Sequence, residues 1–144
     1  MAVGMNNKVG FKIGSSSPAN VDLSDWVTSF SFDDTYDTLE VTAMGDSSHK
    51  VVAGLYSGSL TIDLLIDPVT SATLQTLNGL VGQTAYFKAI QDDSAAVSAT
   101  NILYSGQVFV NGIQPINGAT GDIKTMSVTF PCQTIPAKDI TGTW

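Results

Sequence analysis

Residues 56–66 read YSGSLTIDLLI. Tyr56, Gly58, Leu60, Ile62, Leu64 and Ile66 fall on one side, and Ser57, Ser59, Thr61 and Asp63 on the other, the period of two that an extended strand imposes on its side chains. One face of this strand is core and the other meets water. The pattern is too short and too regular in its alternation for a helix, so the fold is read outward from a half-buried sheet.

Upstream, residues 26–33 repeat the alternation, with Trp26, Thr28, Phe30 and Phe32 set against Val27, Ser29, Ser31 and Asp33. A turn at Asp34–Tyr36 is expected to return the chain through Leu39, Val41 and Ala43 as a hairpin. Further strands are predicted at residues 8–13, 84–91, 102–110 and 123–132, the last two separated by a loop carrying Asn111-Gly112, Pro115, Asn117-Gly118 and Gly121. The count comes to about seven strands. One helix interrupts them: Asp67 suits an N-cap, Pro68 the first helical position, and Gly79 a left-handed C-terminal position, with Val69, Ala72, Leu74, Leu77 and Leu80 as the apolar stripe. The fold class expected is all-β with one short flanking helix, in a single domain over residues 1–144.

Composition narrows the function. The chain is 43% hydrophobic and 13% charged, so it has the material for a core. Its 6 basic residues are all lysines, scattered, against 13 carboxylates and a net charge of -7, which argues against a phosphate-binding patch. One cysteine, Cys132, excludes an internal disulfide framework and a cysteine-rich zinc site. The opening MAVGMNNKVGFKI lacks the apolar run of a signal peptide and no stretch has the length of a membrane span, so a soluble protein made in the cytoplasm is expected, with no membrane partner.

Little catalytic chemistry is on offer. The sole histidine, His49, has Ser47 and Ser48 beside it and Asp46 to orient its ring, but a histidine in a Gly-Asp-Ser-Ser loop reads as solvated, and no G-x-S-x-G elbow occurs. Cys132, after Pro131 at a strand end, reads as a half-buried structural thiol. The carboxylates at Asp33-Asp34 with Asp37, and at Asp92-Asp93, match no calcium-loop spacing and are explained as turn residues. No enzyme activity, cofactor or metal is expected. Two segments look dependent on a partner: residues 44–55, MGDSSHKVVAGL, and the tail after Pro136, which ends on an unpartnered Trp144.

Residues 21–67 carry a resemblance. The run Asp22, Leu23, Ser24, Val27, Thr28, Ser29, Ser31, Phe32, then Asp37, Thr38, Leu39, Val41, Thr42, Gly45, Asp46, then Gly54, Leu55, Ser57, Gly58, Ser59, Leu60 resembles the major tail tube proteins of long-tailed, siphovirus-type bacteriophages. The resemblance covers about a third of the chain and implies a β-sandwich or open barrel of the phage tail tube type. It also implies homohexameric rings that stack into a tube conducting DNA from capsid to host, in a virion tail assembled in the bacterial cytoplasm. Implied partners are further copies of the chain, the tape measure, tail terminator and distal tail proteins, and DNA in passage only. By position the ring-stacking loop would be residues 44–55, with Gly45, Asp46, Ser47, Ser48, His49, Lys50, Val51 and Val52, and the ends that order on stacking would be an N-terminal arm at 1–7 and a C-terminal tail at 137–144, docking through Trp144.

The residues accommodate that reading. Six subunits giving about four strands each would close a barrel of about 24 strands at a backbone diameter of roughly 48 Å, wide enough for a duplex. Six copies at -7 each total -42, so repulsion would keep DNA off the wall. Asp33 and Asp63 are the lumen-lining candidates. Two alternatives stand beside this one: a non-catalytic β-sandwich module binding glycan or receptor through Trp26, Tyr56, Tyr86, Tyr104 or Trp144, and a ring-forming tail completion or hub protein.

Overall fold

The computed structural model describes residues 7–70 and 72–144. Most of the N-terminal arm expected at 1–7 lies outside them. The strands are β1 (Gly10–Gly14), β2 (Val21–Asp22), β3 (Val27–Asp33), β4 (Tyr36–Glu40), β5 (Val51–Tyr56), β6 (Ser59–Leu65), β7 (Thr84–Ile90), β8 (Leu103–Phe109), β9 (Thr125–Pro131) and β10 (Ala137–Asp139), with a 3-10 turn at Ser24–Trp26 and one helix, α1 (Thr73–Asn78). The expected all-β class with one short helix is what forms.

Two antiparallel sheets make a sandwich. One has the order β10-β8-β7-β1-β2 and the other β3-β6-β9. The alternation in β6 is realised as expected, with Leu60, Ile62 and Leu64 fully buried, and β9 repeats it with Met126, Val128 and Phe130. Opposite them lie Phe11, Ile13, Ala85, Phe87 and Val108 from the larger sheet. Phe30 and Phe32 of β3 reach across the layer, 5.6 Å from Phe11 and 5.3 Å from Tyr104 between ring centroids, a separation at which tilted aromatic pairs attract. An isolated bridge between Val108 and Cys132, with Gln133 N–H donating to Gln107 O at 2.8 Å, carries the chain after β9 from the small sheet to the large one and closes that side.

Three expectations are corrected. The predicted hairpin at Asp34–Tyr36 does not form: β3 pairs with β6, β4 pairs with β5, and the chain runs straight on through Asp34 and Thr35, with Ser57 N–H donating to Thr35 O at 2.9 Å. A tight hairpin wants residues that accept positive φ, and Asp-Asp-Thr-Tyr lacks a glycine; the reversal comes instead at Gly45, whose φ is 94°. The helix starts later than Asp67–Pro68 predicted. Asp67 caps a single turn, accepting from Val69 N–H at 3.0 Å, and the Thr73 hydroxyl ties the true helix start to the end of β6 by donating to Leu65 O at 2.7 Å. Gly79 is right-handed at φ -72°, and the left-handed residue is Gly82 at φ 79°, so Val69 is left exposed while Ala72, Leu77 and Leu80 are buried. Finally, Trp26 sits in the 3-10 turn rather than in β3, half-buried, its indole N–H donating to Asp67 Oδ2 at 3.0 Å.

Because β6 is hydrogen-bonded on both sides and Ile62 is wholly buried, Ile62→Ala is expected to destabilise the domain by about 2–5 kcal/mol in chemical denaturation. A cost under about 0.5 kcal/mol would show that β6 is not the centre of the core.

Candidate functional site

β3 with β4, and β5 with β6, form one long antiparallel ribbon. Its first half is sheet, with β6 between β3 and β9. Beyond Asp33 and Ser59 it continues as a two-stranded arm, β4 and β5, with the ladder extended to Val41 N–H donating to Lys50 O at 2.9 Å. At the rise of a strand the arm reaches on the order of 25 Å past the sandwich.

Parity along the ribbon decides which side chains share a face. Register pairs Tyr36 with Tyr56 and Leu39 with Val52, after an irregularity between Tyr36 and Thr38. Tyr56, Gly58 and Leu60 alternate on one face, so the Tyr36–Tyr56 pair at the root continues the core face of the sandwich, whereas past the irregularity, which places one extra residue on β5, Leu39, Val41 and Val52 lie on the opposite face of the arm. Nothing among the described residues covers most of it. Leu39 is 56% exposed, Val41 50%, Val51 60%, Val52 47% and Leu55 82%, and Met44 at the tip is entirely exposed. An isolated two-stranded ribbon with this much apolar surface is marginal in water, which marks it as a contact surface.

The tip is built from the residues expected in the loop. Gly45, Asp46, Ser47, Ser48, His49 and Lys50 make the turn, whereas Val51, Val52 and the rest of 51–55 belong to β5 and correct the expectation of a loop over 44–55. Asp46 accepts from Ala43 N–H at 2.8 Å and from Lys50 Nζ at 2.8 Å. Both, the lysine first, hold its carboxyl below the ordinary range. The ring of His49 is oriented by Glu40, 2.6 Å from Nδ1 to Oε1, and not by Asp46. No serine hydroxyl is bonded to that ring among the described residues.

At the root of the arm Asp34 meets Lys138 of β10 in an ion pair. The Lys138 hydrogen bond is the main reason that the Asp34 carboxyl lies below 3.8, and its counterpart raises Lys138 above 10.5. The Tyr56 hydroxyl is buried next to this pair, over Gly58, where a Cβ would collide with it, and no hydrogen bond of good geometry reaches it among the described residues. Burial first, then the neighbouring Asp34, pushes this phenol up, and burial likewise raises the Cys132 thiol. Cys132 is thus a half-buried structural thiol.

The lumen candidates are brought together. Asp33 and Asp63 lie on the outer face of the β3-β6-β9 sheet, in the rows Asp33, Ser59, Pro131 and Ser29, Asp63, Ser127. Between those rows are Ser31, Thr61 and Thr129, the two threonine hydroxyls 3.3 Å apart. The three strands carry no lysine, so this face is hydroxylated and acidic. Asp92 accepts from Ser94 N–H and Oγ, a turn bond that lowers its pKa, and no metal-binding group of three or more ligands occurs among the described residues. Among the described residues no helix is long and apolar enough to cross a membrane.

The tail is not free. Residues 137–139 form β10 on β8, and Trp144 folds back onto β1, over Gly10, with Lys12 Nζ 4.4 Å from its ring centroid. Trp144 therefore has a partner in its own chain, because Gly10 lacks the Cβ that would fill its seat. Tyr104 packs tilted against Phe32, and Tyr56 meets Tyr36 edge to face, leaving these rings poorly placed to form a flat sugar platform.

No family model matches the sequence, and no curated protein matches it. Solved structures do. A chain from the virion of a native gene transfer agent (GTA) particle, and a chain from the tail of an empty GTA particle computed with helical refinement and C6 symmetry, each superpose with a TM-score of 0.73 at 10% identity, over 95% of this chain and 99% of that one. The fold is shared with a chain of a GTA tail. At 10% identity the likeness is one of fold.

The Asp34 carboxylate contributes stability above its unfolded pKa, and that contribution is lost as pH falls through its lowered folded value. NMR titration of the Asp34 carboxyl carbon is expected to give a midpoint below 3.8, returning towards 3.8 in Lys138→Ala. Equal midpoints in the two proteins would show that β10 does not clasp the arm.

Proposed function

We propose that this chain is a structural protein of a virion tail, forming hexameric rings that stack into a tube through which DNA passes. One observation carries the reading: an uncovered arm with exposed apolar side chains on both faces, on a fold shared with a chain from a C6-symmetric tail. A ribbon that its own chain leaves bare is covered by another copy. The arm then acts as the stacking element expected at residues 44–55, with its base at β4 and β5.

The outer face of β3-β6-β9 suits a lumen. Serine and threonine hydroxyls hydrate it, Asp33 and Asp63 repel phosphate, and its strands have no lysine to hold a sliding duplex. Terminator, tape measure and distal tail proteins are the further partners this reading assigns, with assembly in the host cytoplasm.

Electron microscopy of the concentrated protein, with light-scattering mass on the same sample, is expected to show stacked hollow rings of six. A strict monomer at every concentration, even with preformed tail tips as initiators, would overturn the tube. Replacing residues 37–54 by a tight turn should leave a folded domain that cannot stack, and tubes of normal length would clear the arm of that role. Asp63→Lys should assemble normally and deliver DNA poorly; unchanged infectivity would place Asp63 away from the lumen.

A further inference from the structure

Among the described residues most of the large exposed apolar side chains fall in two groups, Ile135 and Ile140, which flank β10, being outside them. Tyr36, Leu39, Val41, Met44, Val51, Val52 and Leu55 are on the arm, beyond the end of the small sheet marked by Asp33, Ser59 and Pro131. Val69, Val81, Ile116 and Ile123 are at its other end, beyond Val27, Leu65 and Thr125. β6 spans the two poles, about 20 Å apart at the rise of a seven-residue strand.

The far pole is concave. Ile66, Pro68 and Leu74 from the segment after β6, with Pro115, Ile116 and Lys124 from the loop before β9, line a groove of about 490 Å³. The loop is held as one wall: Asn117 Nδ2 donates to Thr125 O at 2.9 Å, Ser127 N–H donates to Gln114 Oε1 at 3.3 Å, and Gly118 and Gly121 supply the positive φ values its turns require. Those two side-chain amides also occupy outward-facing backbone groups of β9, which blunts that edge against strand pairing. Ile116, 96% exposed, is costly to hold at the rim of a groove that receives nothing.

We propose that this groove receives the arm tip of a second copy of the chain, with Met44 and Val41 seated against Ile116 and Leu74. The inference rests on the stacked-tube reading and names the surface that reading leaves open. Three observations select this occupant. At their fractional exposures the seven residues on the two faces of the arm present on the order of 800 Å², the share one partner gives to a standard-size interface, of which the tip in the groove is one part. Donor and acceptor surfaces are different and lie at opposite poles of one strand, so the contact is head-to-tail and cannot close on itself as a dimer. Repeated along the β6 direction it propagates without limit, which is the translation a stack of rings needs.

The test uses Met44→Asp and Ile116→Asp, two exposed positions whose change leaves the core alone, each checked for folding by circular dichroism. Met44→Asp keeps a live groove and a dead arm; Ile116→Asp keeps the reverse. Alone, each should shorten mean tube length at least tenfold by electron microscopy. Mixed, they should pair once, ring on ring, and stop. Ile116→Asp tubes of wild-type length, or a mixture no more associated than its components, would overturn the groove while leaving the tube reading intact. A second protein, Met44→Cys with Ile116→Cys and Cys132→Ser, should give a ladder of disulfide-linked multimers on a non-reducing gel. Absence of the ladder would overturn the docking by itself. Wild-type protein that never forms rings, even with an initiator, would instead overturn the tube, and the ladder would still decide the groove.

Discussion

Everything else in this domain leans on one strand. β6 is hydrogen-bonded to β3 on one side and β9 on the other and turns Leu60, Ile62 and Leu64 into the layer formed by Phe11, Phe87 and Phe130. Burial of these side chains supplies the dominant favourable term, and it fixes register at the same time, since a slip of one residue would put Thr61 and Asp63 in the core. With the register set, Ser29, Ser31, Asp33, Asp63, Ser127 and Thr129 have nowhere to go but one outer face.

The same ribbon explains the arm. The apolar parity of β6 passes through Gly58 into Tyr56 and, on the paired strand, into Tyr36, and the extra residue of β5 beyond that pair turns Val52, with Leu39 and Val41, to the other face. The opposing sheet stops sooner, at β10, whose Lys138 takes Asp34 at the arm's root. A ribbon with exposed apolar side chains on both faces thus extends beyond the layer its own chain provides. In the proposed assembly the missing layer comes from another copy, and the lysine-free outer face of the small sheet becomes the wall past which DNA moves.

Parts of this were legible in order and alternation. The strands at residues 8–13, 84–91, 102–110 and 123–132 correspond to β1, β7, β8 and β9 within a few residues, because each has a clean in-out pattern and bounding turn residues. The sequence points to the helix but to too early a start, since Asp67 and Pro68 satisfy a single turn as well as a helix start, and only the Thr73 hydroxyl on Leu65 O shows where the helix begins. Acidic residues favour turns and so point to a hairpin at Asp34–Tyr36, yet Gly45-Asp46 is the better signal: a glycine free to take positive φ, followed by a carboxylate that accepts from Ala43 N–H. The partner of Trp144 could not be read, because Gly10 is far from it in the chain and becomes its seat only once β1 is in the sheet.

The sequence by itself determined the class of the domain, its half-buried central strand, the hydroxylated and acidic character of one sheet face, and the absence of residues for imidazole or thiol chemistry beyond single examples. These are properties of spacing and composition, which need no knowledge of what lies opposite. Only the tertiary structure decided that β3 and β4 are one continuous run, that the supposed loop at residues 44–55 is half strand, and that most of the exposed apolar side chains collect at two opposite poles. Pairing partners and uncovered faces depend on where the second sheet ends, a long-range fact that no local pattern encodes.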